Sequence, residues 1–178
     1  MGLFIPFTFI ILEATAKGMG ASLAGYLVSI LNGASIFGRT LPAYAADRFI
    51  GRFNIMIVMA IITTILVLGM WIPASSNAAI IVFAALFGFT SGSIVSITPA
   101  LVAQISDVRQ IGVRTGTIFT IVSIAVLVSN PIAGALVVAD NGGFLKLQVF
   151  AGCMMIGGCV FLVLARIKLA GFNLTAKV

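Results

Sequence analysis

The 178-residue chain is 61% hydrophobic and 8% charged, with a mean hydropathy of +1.26. A soluble domain carries about 25% charged residues, so this chain cannot cover a globule with polar surface, and its solvent is lipid. The net charge of +6 does not point to nucleic acid, because the ten Lys and Arg are scattered in ones to threes between apolar runs, with no basic face interleaved with aromatics.

Read in order, the chain gives six apolar segments, at about 1–13, 21–46, 53–72, 79–105, 115–138 and 147–165. The first is short: residues 2–12 reach only about 16 Å as helix, half of a ~30 Å hydrocarbon core. A helix that starts with Met1 in mid-membrane implies that something preceded it, so this first helix is expected to be truncated. It has no basic n-region or small-residue cleavage site and is a poor signal peptide. Glu13 and Lys17 are expected to end it at its outer edge, and Gly18 to Gly20 form a connector.

The second segment carries Ser22, Gly25, Ser29, Asn32, Gly33, Ser35 and Gly38, residues that let helices approach closely or line a wet path. It also holds Arg39, the only strongly charged residue placed well inside a span, and runs into a polar turn at Asp47, Arg48, Gly51 and Arg52. The third segment has only Thr63 and Thr64 as polar residues. Both can bond their own helix backbone, so this helix reads as lipid-facing, with Trp71 as an interfacial anchor. The fourth holds a GxxxG pair, Gly88 and Gly92, and Pro99 predicts a kink near its end. The fifth has Thr117, Thr120, Ser123, Ser129 and Asn130, with Pro131 and Gly134 breaking its far half, and is expected inside a bundle. The sixth is apolar beyond Gln148 and is expected at the periphery. Its two cysteines, Cys153 and Cys159, are six residues apart on one helix, too far for a disulfide.

Alternating spans sort the basic residues. One side receives Arg39, Arg48, Arg52, Arg109, Arg114, Arg166, Lys168 and Lys177, eight in all, and the other only Lys17 and Lys146. The positive-inside rule then places the eight, and the carboxy terminus, in the cytoplasm. The Asn173-Leu174-Thr175 sequon is thereby expected to lack glycan. Greasy third and sixth spans among small and polar ones suit a half-transporter with two outer helices.

Ala46-Asp47-Arg48 followed by Gly51-Arg52 resembles the cytoplasmic loop signature of the major facilitator superfamily, with one extra residue between Asp47 and Gly51 and Ala43 in place of its first glycine. The stretches SILNGASIFGRTLPAYAADRFIGRFN, FGFTSGSIVS, ISDVRQIGVRTG and SNPIAGAL together resemble the monocarboxylate-transporter-like branch in its fungal form. The resemblance implies an all-α membrane protein, six transmembrane helices making the carboxy-terminal half of a bundle. It also implies a missing amino-terminal six-helix half, with the substrate site between the two. It places Arg39 where an arginine of the family contacts a substrate carboxylate. The position one turn earlier, an aspartate in the family, is Ser35 here, so this helix offers no acid to pair with Arg39 for proton coupling.

Arg39 is therefore expected to clamp an organic anion, the alternative being a structural arginine that snorkels to the interface. Asn32, Ser35 and Asn130 either line the pore or bond between helices; both readings stand. Asp47, Arg48, Gly51 and Arg52 read as a gate at the helix junction or as a solvated turn. The function implied is transport of small organic anions such as monocarboxylates by alternating access, with or without proton symport, in the plasma membrane. Efflux or uptake of another metabolite by the same fold and a non-transporting scaffold are the competing readings. An intramembrane enzyme is disfavoured, since the spans carry no paired carboxylates and no nucleophile with a base. With no His at all, no metal or other cofactor is expected.

Overall fold

The computed structural model describes residues 2–171; Lys177 and the sequon at Asn173 lie outside the described residues. Among them there are helices and no strands. The order is α1 (Ile5–Ala16), α2 (Ala21–Ala45), α3 (Arg52–Leu66), α4 (Asn77–Gln104), α5 (Ile111–Ala139) and α6 (Leu145–Ala170). A π turn over Ala46–Ile50 continues α2, and another over Val67–Trp71 continues α3. Five stretches are long and apolar enough to cross a membrane, and a shorter apolar one spans Gly2–Ala16. The chain is thus an all-α, multi-pass membrane protein.

The elements follow from local chemistry. Gly20 and Gly51 precede α2 and α3, and Gly51, at φ 94°, takes a backbone conformation that a side chain would strain. The Ser76 hydroxyl accepts from Ala79 N at 3.2 Å and caps α4. Thr63 and Thr64 donate to Met59 O and Ala60 O of their own helix, so α3 needs no outside partner for them. Pro99 and Pro131 sit inside α4 and α5, as Pro42 does inside α2, and none ends its helix. The expected break at Pro131 does not occur.

Packing is organised by α2 against α4, the most extensive pairing in the chain. In lipid no hydrophobic force draws two apolar helices together, so close backbone approach and van der Waals contact must do it. Three glycines allow this. A Cβ on Gly38 would fall on the Phe89 carbonyl, one on Gly88 on the Leu31 carbonyl, and one on Gly92 on Ser35. α4 also packs on α3, and α3 on α6. At one end Trp71 stacks on Phe83 with ring centroids 5.5 Å apart, Phe83 on Phe87 at 5.4 Å, and Phe7 of α1 meets Phe87 edge-on at 5.5 Å.

At two places the chain by itself differs from expectation: its own helices do not enclose α5, and Trp71 is buried. α5 is the least enclosed helix in this chain: 11% of its most apolar stretch is buried, against 56% for α4. Its hydroxyls did not require burial, because Thr117, Thr120 and Ser123 each bond a carbonyl of their own helix. Trp71 is not an interfacial anchor either. It is fully buried, continuing the inward stripe of Ala60, Thr64 and Val67 and stacking on Phe83.

The α2–α4 seam predicts a sharp contrast between glycines. Gly88→Val, which drives a side chain into the α2 backbone, should lower stability by about 1–3 kcal/mol or more. Gly25→Ala, facing open space, should raise it by up to about 1 kcal/mol. Thermal unfolding of the purified chain in detergent reads both, and equal midpoints would remove the seam from its organising role.

Candidate functional site

The buried face of α2 follows the helical repeat through Ala24, Leu27, Leu31, Ser35, Gly38 and Pro42. Positions seven apart return to nearly the same face, which puts Asn32 and Arg39 together, and both are exposed. Ser35 lies on the seam side. It is 5% exposed, its hydroxyl donates to Asn32 O at 2.7 Å, and its backbone meets Gly92. The structure therefore brings Asn32 and Arg39 to one surface and turns Ser35 toward α4. The Arg39 backbone is held to α4 by Ser96 Oγ, which donates to Arg39 O at 3.4 Å. Among the described residues, neither the Arg39 guanidinium nor the Asn32 amide has a hydrogen-bond or ion-pair partner.

Asn130 is exposed on α5, one residue before Pro131. α2 and α5 share no extended packing. Asn130 also lies toward the end of α5 opposite to the Asp47 turn, whereas Arg39 sits about 12 Å from that turn. Asn130 and Arg39 are not brought together within this chain.

Of the four predicted gate residues, Asp47, Gly51 and Arg52 lie together and Arg48 does not join them. Gly51 N donates to Ala46 O at 2.9 Å, a five-residue spacing that makes the turn a π turn. Such a turn takes up one residue more than an α turn, which accommodates the extra position between Asp47 and Gly51. Arg52 Nε donates to Asp47 Oδ1 at 2.6 Å, and Arg52 Nη1 reaches Ala100 O of α4 at 3.1 Å. The Asp47 side chain is 57% exposed and that of Arg52 33%, so the pair is screened by water and worth about 0–1 kcal/mol. Arg48 points away, donating to Tyr44 Oη at 3.2 Å and lying over the Phe49 ring. A cavity of about 340 Å³ opens beside this turn, lined by Ala46, Asp47, Gly51, Arg52 and Gln104.

At the opposite end the structure reveals a second polar constellation that the sequence reading missed. Glu13 is not a solvated helix end; it lies within α1 and is 1% exposed. Its carboxylate accepts from Lys17 Nζ at 2.6 Å, from Gln148 Nε2 at 2.8 Å and from Trp71 Nε1. Gln148 also donates to Trp71 O at 3.2 Å, and Lys17 to Ala74 O at 2.7 Å. One carboxylate thus ties α1 to the end of α3 and the start of α6. The sequence signal was the Glu13–Lys17 spacing of four, which stacks the two on one helix face, together with Gln148 as a lone polar residue in an apolar segment. Among the described residues no group of three His, Cys, Asp or Glu gathers as a metal site.

The chain is similar along its length to named transporters. It is 50% identical over 176 residues to the MFS transporter asaE of Aspergillus flavus, covering 99% of this chain and 40% of that protein. It is 49% identical over 178 residues to MFS-type transporter 1 of an Ophiocordyceps species, covering 100% of this chain and 39% of that protein. Its identity to the aspyridones efflux protein apdF of Emericella nidulans is 42% over 160 residues, covering 89% of this chain and 32% of that protein. These matches support the major facilitator superfamily. The chain spans about two fifths of the length of the first of these major facilitator relatives. No family model and no solved structure matches it.

The buried carboxylate gives a test that the single tryptophan reports directly. Glu13→Ala leaves Trp71 Nε1 without an acceptor and Lys17 and Gln148 with only the Ala74 and Trp71 carbonyls, and should cost about 3–5 kcal/mol of stability. Trp71→Phe, which removes one donor and keeps most of the ring, should cost about 1–3 kcal/mol. In Glu13→Ala the Trp71 emission should move toward that of a wetter indole. An unmoved spectrum with an unmoved unfolding midpoint would show that the network carries no stability.

Proposed function

We propose that this chain is the carboxy-terminal six-helix half of a major facilitator transporter, and that the intact protein moves organic anions across a membrane by alternating access. The observation that carries this reading is Arg39: a permanent cation within a membrane-spanning helix, exposed, without an acidic partner among the described residues. A charge in that setting is costly and is retained for a pathway, a ligand or a counter-ion. Asn32 on the same face adds an amide that can both donate and accept. A planar guanidinium matches a carboxylate in two parallel hydrogen bonds, which suits monocarboxylates and larger metabolites bearing an acid group alike. The efflux reading is favoured by the relative named for aspyridones.

In this scheme an amino-terminal six-helix half covers the exposed faces of α2 and α5, and the substrate lies between the halves. Arg48, Arg52, Arg109, Arg114, Arg166 and Lys168 sit at one end of the helices, with Lys17 and Lys146 at the other. That bias supports a cytoplasmic location for the Asp47 turn and for the carboxy terminus, with the plasma membrane as the host. The Asp47–Arg52 pair acts as the gate. Being exposed and weak, it can break and re-form between inward- and outward-facing states without a large energetic barrier. Proton coupling, where it operates, uses an acid other than a helical neighbour of Arg39.

Arg39→Lys retains the charge and loses the planar fork. In proteoliposomes holding the intact transporter, it should lower transport of an acidic metabolite by about tenfold or more, with protein amount unchanged. Unchanged transport would sink the clamp. Asp47→Asn should leave substrate binding intact and slow turnover, so that KM holds while the maximal rate falls. An unchanged maximal rate would reduce the turn to a solvated connector.

A further inference from the structure

Between α3 and α6 lies a cavity of about 360 Å³, walled by Ile61 and Ile65 of α3 and by Ile156, Val160, Val163 and Leu164 of α6. Its floor is the contact of Thr64 Oγ1 with Cys159 Sγ at 3.5 Å. The Thr64 hydroxyl is already committed to Ala60 O of its own helix, so the floor shows little polarity to an occupant. The α6 wall extends from residue 156 to 164, about 12 Å along the helix axis. A cleft of this shape, on two helices that face the bilayer, accepts a run of methylenes rather than a polar solute.

The end of this groove nearer the Asp47 turn is chemically different. Arg166, one helical turn beyond Val163, is 6% exposed and donates from Nε to Asn54 Oδ1 of α3, which closes the groove between the two helices. Lys168, one turn beyond Leu164, is exposed on the same end. Arg48, Arg52, Arg109 and Arg114 lie at the same end of the helices. The two described acids there are engaged, Asp47 with Arg52 and Asp107 with the backbone N of Arg109. The net field at the mouth of the groove is positive, and the groove above it is hydrocarbon-like.

We propose that the α3–α6 groove holds one acyl chain of an anionic phospholipid, whose headgroup is bound at Lys168 beside the Arg166–Asn54 closure. The proposal rests on charge complementarity at one end of an apolar cleft and does not depend on any transport activity. A basic pocket between helices at the membrane surface takes anionic headgroups in preference to zwitterionic ones. Binding there staples α3 to α6 beside the Arg166–Asn54 hydrogen bond.

The full chain, reconstituted in vesicles of phosphatidylcholine mixed with phosphatidylserine and then re-extracted in mild detergent, tests this by mass spectrometry of the lipid it retains. The wild-type chain should retain phosphatidylserine above its share in the vesicle. Lys168→Gln should lower that preference about fivefold, the factor expected for one juxtamembrane cation, without lowering total lipid. Val160→Phe, at a position 52% exposed and therefore tolerant of a larger side chain, should fill the groove and lower retention of both lipids. Phe161→Leu, at a neighbouring position 75% exposed and off the groove, should change neither. Retention without headgroup preference, or preference untouched by Lys168→Gln, would overturn the headgroup site. Full retention in Val160→Phe would overturn the groove.

Discussion

The contact on which the rest of this structure depends is the backbone-to-backbone approach of α2 and α4 at Gly38, Gly88 and Gly92. Lipid tails are as apolar as leucine, so helices in a bilayer gain nothing by hiding apolar side chains from their solvent. They gain by fitting closely, and closeness requires that nothing project from the contact line. Once Leu31, Ser35 and Gly38 are committed to α4, the opposite face of α2 is fixed as well. That face carries Asn32 and Arg39. The position of the candidate site is a consequence of which glycines make the seam.

The two ends of the helices are held by different physics, and the difference matches what each end can do. At one end, a carboxylate buried with three donors ties α1, α3 and α6 together, and its removal strands the buried Trp71 indole N–H and cuts the link that the three donors share. Such a network is rigid. At the other end, Asp47 and Arg52 meet in water, where the attraction is screened and little is lost when it breaks. Rigidity and release are thus placed at opposite ends of α3, the helix the two constellations share, which gives it one firm anchor and one loose joint.

The all-α membrane fold was legible because apolar runs separated by short polar turns have no other stable form in lipid. The seam was half legible: the Gly88–Gly92 spacing marks a close contact, but nothing in it says that α2 is the partner or that Gly38 takes part. Trp71 and Glu13 were misplaced for a reason that composition cannot reveal. Trp71 continues the buried stripe of Ala60, Thr64 and Val67 at helical spacing, but an aromatic at the end of an apolar span reads equally as an interfacial anchor until the covering helices are known. Glu13 then finds donors from segments 58 and 135 residues away in sequence. Ser35 shows the same limit on a smaller scale. Helical spacing groups it loosely with Asn32 and Arg39, and only the neighbouring helix decides that it faces the seam.

Polar groups exposed on a membrane helix are not equivalent, and sorting them by what they can satisfy alone narrows the functional surface. Thr117, Thr120 and Ser123 on α5, and Thr40 on α2, each return their hydroxyl to a carbonyl of their own helix. They are satisfied where they stand and demand no partner. An amide or a guanidinium in mid-helix has no such local remedy, because the backbone groups within reach are already bonded. The mid-helix amides and guanidinium on the exposed faces of α2 and α5 are Asn32, Arg39 and Asn130, and two of those three lie within two turns of each other on α2. A neighbouring half, a water-filled path or an anionic solute can meet that demand, and each of them must come to the same strip of α2. The α5 face needs cover only near Asn130. The mid-helix amides and guanidinium that need an outside partner are therefore found mostly on α2.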